Sequence, residues 1–153
     1  MQADSKYRRL TAPTDAEIAR DVRGLGVRQA PSPGKRQVAF VPTEVLLCLA
    51  ASRVVKWNRF GQRNIADAPT PVPELARLFK RPPSSITAKM GNLLGGWAHA
   101  GMGETEAAAW LLADPNRLQF VYEQVLRIAT TNGVTAAQLP DFLPKNQSQW
   151  CPW

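Results

Sequence analysis

Between Pro82 and Lys89 the chain reads Pro-Pro-Ser-Ser-Ile-Thr-Ala-Lys: two rings, three hydroxyls and one cation in quick succession. A helix starting at Pro83 or Ser84 would turn free amides and hydroxyls outward at its N-terminus, an arrangement suited to a phosphate oxygen. The surroundings are basic. Residues 53–92 carry Arg53, Lys56, Arg59, Arg63, Arg77, Lys80, Arg81 and Lys89 against only Asp67 and Glu74. The whole chain has a net charge of +7, so most of the excess sits in this stretch. A focused basic region attracts polyanions, nucleic acid foremost. The bland alternative is a solvated surface that only confers solubility.

Other chemistries find little to work with. The single histidine, His99, falls short of the two that a histidine-based metal nuclease needs. Cys48 and Cys151 are the only cysteines, too few for a disulfide framework or a zinc module. The carboxylates are scattered, and no phosphate loop is present. No enzymatic activity, cofactor or metal is therefore expected. The apolar run Val45–Ala51 is far short of the ~20 residues that span a bilayer. No signal peptide is recognisable, so the expected location is cytoplasmic, near the nucleoid.

The elements that must position these residues read as helices. At 153 residues the chain is long enough for a real core. Residues 1–41 read as an irregular N-terminal arm and linker with one short helix, capped by Thr14 or Asp15 and running to Arg23. The domain proper spans 42–139. Its first helix is expected to be capped by Thr43 and to run to about Trp57, apolar nearly all round in its first half. Residues 58–73 are irregular, with Pro69, Pro71 and Pro73. Helices follow over Val72–Phe79, from Pro83 or Ser84 to about Leu94, over Glu104–Ala113, and over Pro115–Thr131. Residues 140–153 read as a tail, mobile or docked as an extended segment. The expected fold is all-α: a compact helical domain containing a helix-turn-helix-like pair, Glu74 to Leu94, between irregular terminal segments. In such a pair the second helix presents its N-terminal residues to the major groove.

The stretch Glu74-Leu-Ala-Arg-Leu-Phe-Lys-Arg-Pro-Pro-Ser-Ser-Ile-Thr-Ala-Lys-Met-Gly-Asn-Leu94, with Arg59-Phe60-Gly61-Gln62-Arg63-Asn64 upstream, resembles the sulfur-binding domain of phosphorothioate-dependent HNH restriction endonucleases. The resemblance covers roughly residues 42–100. It implies binding to duplex DNA in which sulfur replaces one non-bridging phosphate oxygen. It also implies a pocket formed by Pro82, Pro83, Ser84, Ser85, Thr87 and Ala88. The rest of the phosphate charge would meet Lys89, Arg81 and helix amides. Arg63, with Gln62 and Asn64, would read a neighbouring base. Arg53, Lys56, Arg59 and Arg77 would contact phosphates. The family's nuclease half has no counterpart in this chain, so the implied role is the targeting module of such an enzyme. The chain departs from the family pattern at Pro82, where a bulky group is common. It also departs at Gln62 and Asn64, near an expected histidine, and at Lys80, where the helix break commonly has glycine. Trp57, Phe60 or Trp97 could complete the pocket wall.

Further positions have two readings each. Asn92 could bond a phosphate or cap its helix. Trp97 and His99 could touch DNA from a glycine-rich loop, or be a core plug and an incidental residue. Two other functions compete. One is an ordinary helix-turn-helix regulator that ignores backbone chemistry. The other is a helical protein-interaction domain with an acidic partner.

Overall fold

A computed structural model describes residues 4–26, 39–61, 63–95 and 103–152. These residues form α1 (Asp4–Thr11), α2 (Asp15–Arg23), α3 (Pro42–Ala51), α4 (Val72–Phe79), α5 (Pro83–Leu93), α6 (Glu104–Ala113) and α7 (Pro115–Thr131), with no strand among them. The fold is all-α. None of the helices among the described residues is long and apolar enough to cross a membrane.

Every residue of α3 is buried, and the other helices pack around it. Its N-cap is Val41, two residues before the predicted cap Thr43, and Glu44 reaches back to accept from the Val41 amide at 2.9 Å. It stops at Ala51 rather than near Trp57. There the Ser52 hydroxyl donates to the Leu49 carbonyl at 2.5 Å, and β-branched Val54 and Val55 follow. The chain then makes two short 3-10 turns, Trp57–Arg59 and Ile65–Asp67, both packed against α5.

Within the expected arm over 1–41, the described residues 4–26 pack into the body rather than standing apart from it. Both α1 and α2 contribute to the core through Leu10, Ile18 and Val22. The first packs on α6, the second on α7. A reciprocal cap between Thr14 and Glu17 starts α2, at 3.1 and 3.0 Å. The expected tail over 140–153 is the docked alternative. Tyr122 donates its hydroxyl to Asp141 and accepts from the amides of Phe142 and Leu143. Further along, Cys151 and Arg53 bond each other's backbone at 2.6 Å, amide to carbonyl.

The helix-turn-helix pair forms as predicted. The α4 end closes in a Schellman pattern: the Arg81 amide donates to Ala76 and the Lys80 amide to Arg77. That turn puts Lys80 at φ +54°, a left-handed conformation that costs a non-glycine residue about 1–2 kcal/mol. Pro83 then occupies the first position of α5, where its fixed φ and missing N–H are favourable.

Candidate nucleic-acid interface

The surface of α5 is narrower than the sequence suggested. Ile86, Thr87, Lys89, Met90, Gly91 and Leu93 turn inward. Pro83, Ser84, Ser85, Ala88 and Asn92 are half-buried and Pro82 is exposed. This leaves a shallow stripe of small side chains that starts at the N-terminus and runs along one side. No side chain caps that N-terminus. Thr87 does not belong to the stripe: it is buried, and its hydroxyl donates to the Ser84 carbonyl at 3.2 Å.

Two cations expected to hold phosphate are instead internal. The Arg81 guanidinium lies 3.0 Å from Glu44, donates to the Ala39 carbonyl at 3.2 Å, and stacks 3.9 Å from the Phe40 ring centroid. Lys89 lies 3.0 Å from Glu104, whose other oxygen takes Lys6 at 2.6 Å. A buried charge with a matched partner is not available to an outside anion. Breaking such a pair typically costs about 3–5 kcal/mol. Burial alone would raise the Glu104 pKa, but its bonds to Lys6 and Lys89 outweigh that and hold it below the ordinary carboxylate range. The two pairs hold α5 at two points, Arg81 just before its first residue and Lys89 in its middle.

Arg53 is a third correction. It is buried, and its guanidinium donates to the Cys151 carbonyl at 3.3 Å. Burial lowers its pKa, consistent with a structural role tying the C-terminal strap to the end of α3. The solvent-facing cations of the central stretch are therefore Arg59, Arg63, Arg77 and Lys80, with Lys56 half-buried. Arg77 and Lys80 line a separate cleft with Leu25 and Gln138.

In the 57–67 segment, Arg59 closes one of the two turns that pack on α5, and Arg63 lies two residues before the other. Asn64 shapes this segment. Its side chain accepts from the Gly61 amide at 2.9 Å and donates to the Arg59 carbonyl at 2.7 Å. Its amide group is thus engaged in the loop, which corrects its expected role in base reading. That brace is a role the sequence reasoning missed, although asparagine is a common side chain for bonding nearby backbone in turns. Trp57 and Phe60 are partly buried against the core. Gln62, Trp97 and His99 lie outside the described residues.

Among the described residues, no three His, Cys, Asp or Glu side chains gather to hold a metal ion. Cys48 is fully buried, and burial pushes its thiol pKa well up, so it is a core residue. Glu44 and Glu104 were missed altogether as organisers of the site. Their partners lie 37 and 15 residues away, and no local spacing reveals such pairs. No family model matches the chain, and no curated protein or solved structure matches it.

Proposed function

We propose that this chain is a non-catalytic DNA-binding module that favours a phosphorothioate linkage in duplex DNA, the role implied by the sequence resemblance. One observation carries the reading. α5 has an uncapped N-terminus and a stripe of small side chains, and it packs against the two short turns next to which Arg59 and Arg63 face solvent.

Each part has a physical task in this reading. Sulfur is larger, more polarizable and less hydrated than oxygen. Setting it against Pro82, Pro83, Ser84, Ser85 and Ala88 costs little, whereas a phosphate oxygen there would lose water without full replacement. The rigid proline rings keep the pocket formed before binding. Remaining phosphate charge meets the α5 amides, Arg59 and Lys56, which position the duplex without reading it. Arg63 reads a base edge, with guanine O6 and N7 as its usual bidentate partners. Arg81 and Lys89 act from inside, through Glu44 and Glu104, by fixing where α5 stands. In a larger assembly such a module would direct a nuclease to modified sites.

The test is competitive binding to one short duplex in three forms: unmodified, and carrying each single phosphorothioate stereoisomer beside a guanine. Preference for one stereoisomer is expected. Equal affinity for all three would overturn the sulfur reading and leave an ordinary helix-turn-helix binder.

A further inference from the structure

A second concave surface lies between the end of α2, α4 and the turn at residues 137–138. It encloses about 410 Å3, within the range of small-molecule sites. Leu25, Leu78 and Ala137 give it apolar walls. Its polar groups are mostly donors. The Arg77 side chain is 71% exposed, and Lys80 is exposed at the rim. Gln138 accepts through Oε1 from the amide and hydroxyl of Thr135, which leaves its amide nitrogen as the donating end. Glu74 is the one carboxylate in the lining. Its Oε2 accepts from the Thr70 hydroxyl at 3.0 Å and lies 4.0 Å from Arg77, and its Oε1 is buried. The lining is thus net positive.

Lys80 adds an independent observation. It holds a left-handed backbone conformation, φ +54°, at a helix end where glycine would be relaxed. Its stem packs over Gly26, where an added Cβ would stand 3.5 Å from the Lys80 Cε. A long cation thus occupies a position that favours glycine, and its place is the wall of this cleft.

We propose that the cleft binds a small organic anion, a carboxylate or a phosphate monoester on an apolar body. The anionic group meets Arg77 and Lys80, and the body lies against Leu25, Leu78 and Ala137. An inorganic anion would leave the apolar walls unused, and a neutral ligand would leave the net positive charge of Arg77, Lys80 and Glu74 unanswered. The proposal is independent of DNA binding.

The experiment is an amide-resolved NMR titration of the whole chain, without DNA, using phenyl phosphate and benzoate, with inorganic phosphate and phenol as controls. Saturable shifts are expected at Leu25, Gly26, Leu78, Ala137 and Gln138 with at least one of the two organic anions. The stronger of the two identifies the charged group. Lys80→Gly and Arg77→Gln should each weaken that binding about tenfold, the loss of one charge-assisted contact. Lys80→Gly relieves the positive φ, so its fold is retained and the same spectra verify it. Unchanged affinity in both variants would overturn the proposal. So would inorganic phosphate or phenol binding as tightly as the organic anions, or no saturable shift at these amides.

Discussion

Lys89 of α5 and Lys6 of α1 share one buried carboxylate, Glu104, at 3.0 and 2.6 Å on its two oxygens. α1 and α5 are therefore fastened to the same point at the start of α6. Removing the carboxylate strands two cations, one of them buried. Glu104→Gln is expected to destabilise the fold by about 3–5 kcal/mol, measured by denaturant unfolding. The pH dependence has a fixed sign. Glu104 is held below its ordinary value of 4.5, so its contribution is present above that pH and is lost as pH falls through the lowered value. Glu17 behaves alike: the bond from Arg8, then the Thr14 amide, lowers it to about 2. Stability should fall between about pH 4.5 and pH 2, and the Glu104→Gln profile should be flatter there.

Glu44 and Arg81 give a second prediction, because the pair sits where the sequence suggested a phosphate contact. Either Glu44→Leu or Arg81→Met alone leaves an uncompensated buried charge and should cost about 3–5 kcal/mol. The double variant should recover most of that loss. If Arg81 is internal in function as well as in place, the refolded double variant keeps the salt dependence of DNA binding. Arg59→Gln should instead reduce the slope of log affinity against log salt by about 0.9. The comparison needs only binding curves at several salt concentrations. A reduced slope in the double variant would return Arg81 to the DNA surface.

The proposed base reader, Arg63, and the Asn64 brace can be separated. Arg63→Ala should lower discrimination at one base pair beside the modified linkage by about 1–3 kcal/mol, with little change in stability. Asn64→Ala removes the bonds to Gly61 and Arg59 without touching the arginine itself. It should speed hydrogen exchange at the Gly61 amide and weaken discrimination less than Arg63→Ala does. Discrimination unchanged in Arg63→Ala would make Arg63 a backbone contact only.

Apolar spacing and clear stops made α4, α5 and α7 legible, while alanine content and an acidic start did so for α6. Pro83 at the start of α5, and Asp114 capping the Asn116 amide of α7 at 3.1 Å, are local signals with local effects. The same spacing turns Leu118, Val121, Tyr122 and Val125 inward and leaves Phe120 75% exposed. α1 was not legible: its charged sequence has a narrow apolar face, and the core it joins is made by α3 and α6, far along the chain. The candidate site divides the same way. Position in the chain put Pro82, Pro83, Ser84, Ser85, Thr87, Ala88 and Lys89 at a presented helix start, yet Thr87 and Lys89 turn inward. It could not tell which cations face solvent, because Arg81 and Lys89 look like Arg59 and Arg63 until Glu44 and Glu104 are brought beside them by the fold.

Ser84 permits a test in which stability and binding move apart. It lies in the first turn of α5, half-buried, at an end with no side-chain cap. Ser84→Asp places a carboxylate at the positive end of the helix, which favours the fold by about 0.3–1 kcal/mol. The same carboxylate fills the proposed sulfur pocket and repels the linkage. Thermal stability should therefore hold or rise, while the ratio of phosphorothioate to unmodified affinity falls toward one. Affinity for ordinary duplex should weaken only modestly, since counterion release by Arg59 and the other exposed cations is retained. A variant that keeps the full sulfur preference would move the pocket away from the α5 N-terminus, whatever its melting temperature.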